Sequence, residues 1–111
     1  MAYLRKGKET IEIDYPLSKI WDAIQGTLQS LDWAVEKIDE EAHHIQAKTK
    51  SRFMSYGSVI LIDVLFMDEK TTRVSIAAET PVTTITSVFD LGRTRDRIDL
   101  FLQQLSRQLA L

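Results

Sequence analysis

The sequence predicts an α+β fold: a single two-layer domain whose curved antiparallel sheet of five to six strands grips two helices, in the order β-α-β-β-β-β-α. Three observations predict it. Apolar and polar residues alternate with period two in several short segments, as half-buried strands do. Two other segments carry apolar stripes at helical spacing. From residue 33 onward, consecutive strand segments are joined by turns too short for a parallel crossover, so they must pair antiparallel.

The first strand shows Ile11, Ile13 and Tyr15 alternating with Thr10, Glu12 and Asp14. Pro16 cannot donate to a sheet ladder and suits the first turn of a helix. Leu17, Ile20, Trp21, Ile24, Leu28 and Leu31 then form one apolar stripe, along a helix of about four turns. Gly26 within it costs about 1 kcal/mol relative to alanine, which implies either a close approach to the sheet or simple tolerance. Residues 33–38 and 44–49 read as the second and third strands, with Ile45 and Ala47 inward and the polar turn 39–43 making them a hairpin. Val35 and Ile38 fall on opposite faces of a regular strand, so a bulge or an early end is expected.

The longest apolar run, 59–66, is broken only by Asp63 and is rich in β-branched residues, which marks a central strand. After a turn over 67–71, Thr72, Val74, Ile76 and Ala78 alternate as a fifth strand that Pro81 ends. The Thr-rich segment 82–87 is either a short sixth strand or an extended crossing. Asp90 suits the N-cap of the last helix, whose stripe is Ile98, Phe101, Leu102, Leu105 and Leu109. Arg95 and Asp99 lie four apart, the spacing of an exposed pair. With both stripes turned to one side of the sheet, the architecture is helix-grip-like and takes in residues 1–111 as one domain.

Composition narrows the function classes. The 111 residues are 44% hydrophobic and 27% charged, a globular balance that needs no metal or disulfide to fold. There are no cysteines, which excludes disulfides, a thiol nucleophile and thiolate metal sites. No run approaches the ~18 apolar residues of a membrane helix. The N-terminus becomes charged at once and has no apolar signal region, so the chain as it stands is expected to be cytoplasmic, or exported if a signal peptide has been removed. A net charge of −2 weighs against a nucleic-acid partner, since phosphate contacts need a surplus of Lys and Arg.

Three stretches resemble small bacterial domains of unknown function. Tyr15-Pro16-Leu17-Ser18-Lys19-Ile20-Trp21-Asp22-Ala23 is similar to an x-P-x-x-x-[IV]-W-x-A opening, and Trp33-Ala34-Val35 with Ile45-Gln46-Ala47 to a G-W-x-V…I-x-A hairpin. The stretch Asp90-Leu91-Gly92-Arg93-Thr94-Arg95-Asp96-Arg97-Ile98-Asp99-Leu100-Phe101-Leu102 resembles the D-x-G-x-N-x-x-R-I-x-x-F-L ending of a widespread family, with Thr94 in place of the asparagine. The opening and hairpin also resemble helix-grip modules of outer-membrane assembly lipoproteins. The resemblance implies no catalytic residue.

No chemical constellation stands out. His43 and His44 are adjacent, point apart and lack a third ligand, so they read as turn residues and no metal is expected. Asp63 would be a tuned acid or base if buried. In a register with Phe66 opposite Thr72, however, it lies on the outer face opposite Ser75 and diagonal to Arg73, its expected ion-pair partner. Lys48, Lys50 and Arg52 with Phe53 and Tyr56 resemble a base-stacking strip, although alternating basic residues on a strand ordinarily make a solvated face. That account leaves Phe53 and Met54 unexplained, and exposed apolar loop residues mark contact surfaces. The four glycines are isolated and build no phosphate loop, nor is there a nucleophile elbow. Trp21, Trp33 and Phe101 lie on apolar faces and read as core.

No cofactor and no catalytic residue is therefore expected, and an enzyme carries the least weight. The leading reading is a non-enzymatic binding or protein-interaction module. Its partner is another protein or a second copy, met through the outer sheet face or the Phe53 loop, with Arg52, Phe53, Met54, Tyr56, Leu61 and Leu65 as contact residues. The alternative is a small apolar-ligand or lipid carrier with a cavity between sheet and C-terminal helix.

Overall fold

The structure is a computed structural model that describes residues 3–49, 58–82 and 93–109. Strand β1 (Tyr3–Ile13) leads through Pro16 into helix α1 (Leu17–Leu31). Strands β2 (Ala34–Asp39), β3 (His44–Lys48), β4 (Val59–Asp68) and β5 (Thr71–Val82) follow, and helix α2 (Arg93–Gln108) closes the described chain. The sheet order is β1-β5-β4-β3-β2, and every neighbouring pair is antiparallel. The expected two-layer α+β architecture is thus the observed one.

The core forms where the helical stripes meet the inner sheet face. From the sheet come Ile45, Ala47, Ile60, Ile62, Val64, Val74, Ile76 and Ala78; from the helices Ile20, Trp21, Ile24, Leu28, Ile98, Phe101, Leu105 and Leu109. Leu102, expected in the core, is half-buried against it. Helix α2 packs on α1 and over β1 and β5, while α1 covers β4 and β5. A Schellman turn ends α1: Asp32 takes a left-handed conformation (φ 58°) and donates to Gln29 O, while the Trp33 N–H reaches Leu28 O. That turn folds Trp33 back onto Phe101, with ring centroids 6.3 Å apart and planes 19° from parallel. The junction before α1 is tied by Tyr15. Its carbonyl accepts from Thr72 Oγ1 at 2.8 Å, and its hydroxyl donates to Leu109 O at 3.5 Å.

Several expectations need correction. The first strand starts at Tyr3 and ends at Ile13, so it is far longer at its N-terminal side than the alternation of 11–15 announced. Gly7 and Glu9 oppose the inward residues Ala78 and Ile76, so its first half carries no apolar alternation to read. Pro81 does not end β5, which continues to Val82. Among the described residues, β5 beyond Glu79 pairs with β1 and not with β4. Only alternate N–H groups there face a ladder, and a proline is tolerated. The turn expected over 67–71 shrinks to Glu69 and Lys70, because Met67 forms a bulge and Asp68 still pairs with Thr71. The segment 83–87, Asp90 and the Arg95 side chain lie outside the described residues.

Gly26 does mark a close approach, but to the second helix rather than the sheet: a Cβ there would lie 2.8 Å from Gln108 Oε1. The bulge expected in β2 is present. The pairing shifts between Val35 and Lys37, so that Val35 opposes Ala47 and Ile38 opposes Ile45. The extra residue, Glu36, therefore brings Val35 and Ile38 onto the same inner face, whereas regular alternation would separate them.

Candidate functional site

The outer face of the sheet is the surface the sequence singled out, and its rows follow from the register. Lys8, Ala77, Leu61, Gln46 and Lys37 form one row across all five strands. A neighbouring row runs Thr10, Ser75, Asp63, His44 and Asp39, and a third contains Glu12, Arg73 and Leu65. An apolar stripe along β4 results. Val59 and Leu61 are half-buried by their neighbours, while Leu65 is 53% exposed. Polar side chains bracket the stripe and bond to one another. Thr10 and Ser75 hydroxyls meet at 3.0 Å, Arg73 Nη2 donates to Glu12 Oε2 at 2.7 Å, and Gln46 Nε2 donates to Glu36 Oε1 at 3.3 Å.

Asp63 sits on this face opposite Ser75, with Phe66 opposite Thr72, as the register required. Its partner differs: His44 Nδ1 lies 2.7 Å from Asp63 Oδ1, and Arg73 bonds Glu12 instead. The reason is geometric. His44 and Glu12 stand directly across from Asp63 and Arg73 on the adjoining strands, and directly opposed Cβ atoms are closer than diagonal ones. His43, in a left-handed turn conformation (φ 53°), points elsewhere and meets Trp21 edge-on at 5.1 Å. Among the described residues no group of three or more His, Asp or Glu converges as metal ligands would.

The inner face is occupied by protein. Ile60, Ile62, Ile76, Phe101 and Ile98 are fully buried between the sheet and the helices. Phe66, which shares the inner face by standing opposite the buried Thr72, is 58% exposed. It lies past Asp63, the last β4 residue paired with β3, so it has a strand neighbour on one side only. An open groove of about 720 Å³ lies at this end of the molecule, lined by Asp14, Pro16, Asp68, Glu69, Lys70 and Thr71. At the opposite end of β4, Arg97 Nη1 donates to the buried Ser58 Oγ, and Ser58 N–H donates to Thr49 Oγ1 at 2.8 Å. This polar tie between α2 and the β3–β4 pair joins positions far apart in sequence, and no local pattern announced it. Of the six expected contact residues, the structure brings Leu61 and Leu65 onto one face; Arg52, Phe53, Met54 and Tyr56 lie outside the described residues.

No family model and no curated protein matches the sequence. Solved structures do match its fold. Norcoclaurine synthase from Thalictrum flavum, solved in complex with dopamine and hydroxybenzaldehyde, is 10% identical over 98% of this chain and 88% of its own, with a TM-score of 0.70. The di-domain aromatase/cyclase BexL of the BE-7585A biosynthetic pathway is 12% identical over 96% of this chain and 47% of its own, at 0.73. The Zhui aromatase/cyclase from Streptomyces sp. R1128 is 11% identical over 96% of both chains, at 0.65. The chain is therefore a helix-grip domain, and at these identities the likeness speaks for fold alone. Enzymes share this fold, so the fold itself does not argue against catalysis. Among the described residues no helix is long and apolar enough to cross a membrane.

Proposed function

We propose that the chain is a non-enzymatic binding module that meets a protein partner through the outer sheet face around Leu61 and Leu65. One observation carries this reading: the inner face of the central strand is filled by the protein's own side chains, while its outer face still presents leucines to solvent. A half-exposed leucine bracketed by charged and hydrogen-bonding side chains has the apolar-centre, polar-rim character of an interface. The His44–Asp63 pair lies on that solvent-exposed face rather than in a cavity, which supports a structural role for it. Cross-linking in the native host, followed by capture of wild type and of Leu61→Asp and Leu65→Asp variants, tests the reading. A specific partner is retained by wild type and lost by folded variants. Equal capture by all three overturns it.

A second reading is a carrier of a small apolar ligand; the likeness to norcoclaurine synthase, whose solved complex holds dopamine and hydroxybenzaldehyde, supports small-molecule binding in this fold and not the ligand's apolar character. Native mass spectrometry of protein purified from its host separates the two. A stoichiometric small molecule favours the carrier, and a bare chain favours the surface module.

A further inference from the structure

Among the described residues, strand β2 is the edge of the sheet opposite β1, and α1 and α2 pack mainly over β1, β4 and β5, away from it. Its six residues, Ala34 to Asp39, are all exposed, and two of them are large apolar side chains on the inner face, Val35 at 50% and Ile38 at 42%. Edge strands ordinarily blunt self-pairing with charges and bulges. Here the charges and the bulge have another property: they are self-complementary.

We propose that β2 docks on the β2 of a second copy of this chain, antiparallel about a two-fold axis between Glu36 and Lys37, so that one sheet runs through both copies. In that register Glu36 faces Lys37 of the other copy twice over, Val35 faces Ile38, and Ala34 faces Asp39. The faces also agree. Glu36 bonds the outer-face Gln46, and Lys37 opposes that same residue, so both charged side chains belong to the outer face. Val35 and Ile38 oppose Ala47 and Ile45 and belong to the inner one. Facing residues of an antiparallel pair share a side, and only the Glu36 bulge lets both pairs satisfy that rule at once. A slip of one residue either way sets Glu36 against Glu36 or Lys37 against Lys37, so charge selects this register. Two apolar pairs and two ion pairs on a short strand fall below a standard interface, which makes the dimer weak and concentration-dependent.

Sedimentation velocity on the whole chain, from micromolar to millimolar concentration, tests the proposal. Wild type shifts from monomer toward dimer as concentration rises. Glu36→Lys and Lys37→Glu each place like charges across the axis and weaken association about tenfold or more. Mixing these two single variants restores dimer, because each then faces the opposite charge. The double charge swap Glu36→Lys/Lys37→Glu restores it as well, which separates a lost interface from a damaged fold. A wild type that stays monomeric throughout, a dimer indifferent to the single variants, or a mixture that fails to associate overturns the proposal. None of these variants touches Leu61 or Leu65, so the result is independent of the outer-face reading.

Discussion

The two faces of β4 set the terms of the molecule. Its inner residues Ile60, Ile62 and Val64 and its outer residues Val59, Leu61 and Leu65 have similar hydropathy, alternate one by one, and meet different fates. The inner set is sealed under two helices, whereas the outer set is half-buried or exposed beside Ala77, Gln46 and Arg73. Apolar character therefore identifies β4 as central without saying which face holds the fold together. The helices decide that, because each has a single apolar stripe and both stripes turn to the same side.

The largest expected effects break the sealed side. Phe101 is fully buried and stacks on Trp33, so Phe101→Ala should cost about 3–5 kcal/mol. That is a large part of a typical stability of about 5–15 kcal/mol. A urea melt with an unchanged midpoint would refute this account of α2. The neighbouring positions Leu61 and Ile62 sharpen the contrast within one strand. Ile62→Ala should cost about 2–5 kcal/mol, and Leu61→Ala about 1 kcal/mol or less, as surface substitutions do. Equal losses would mean that the outer face is as structural as the inner one, and would remove the ground for reading it as a binding surface.

What was legible in the sequence follows the same division. Period-two alternation places Ile60 to Phe66 and Thr72 to Ala78 on their faces and even yields the β4–β5 register, because facing residues must share a side. The mismatch of Val35 with Ile38 announces the β2 bulge. Long-range partners were not legible. Asp63 takes His44 rather than Arg73, and Arg97 reaches Ser58, because a side chain's choice among opposite and diagonal neighbours depends on strands distant in sequence. The first half of β1 was missed since its inward positions hold Gly7 and Glu9. Of the candidate site, Leu61 and Leu65 could be placed because alternation fixes their face, and no comparable period orders Arg52 to Tyr56.

A smaller effect concerns the helix pair. Gly26 faces the flexible end of Gln108, whose amide donates to Ser30 Oγ at 3.0 Å. Gly26→Ala recovers about 1 kcal/mol of helix propensity, while the Gln108 side chain swings aside at the cost of one exposed hydrogen bond. The net expectation is a stabilisation of about 0–1 kcal/mol. A loss of stability in thermal or urea melts would show that α1 and α2 are locked more tightly at this crossing than a movable glutamine allows.

The smallest expected effect tests how partners are chosen on the open face. Asp63 is 63% exposed at its side chain and His44 29%, so solvent screens their attraction. A double-mutant cycle with Asp63→Asn and His44→Gln should return a coupling of about 0–1 kcal/mol that shrinks in salt. The same cycle between Asp63 and Arg73 should return about zero, since Arg73 is held by Glu12 directly across from it and a diagonal pair has little left to gain. A coupling well above 1 kcal/mol between Asp63 and His44, persisting at high salt, would mean that the pair is desolvated in solution. Something would then cover the outer face even in the isolated chain. A coupling between Asp63 and Arg73 larger than that with His44 would instead place the strands in a different register from the one that separates the two faces of β4.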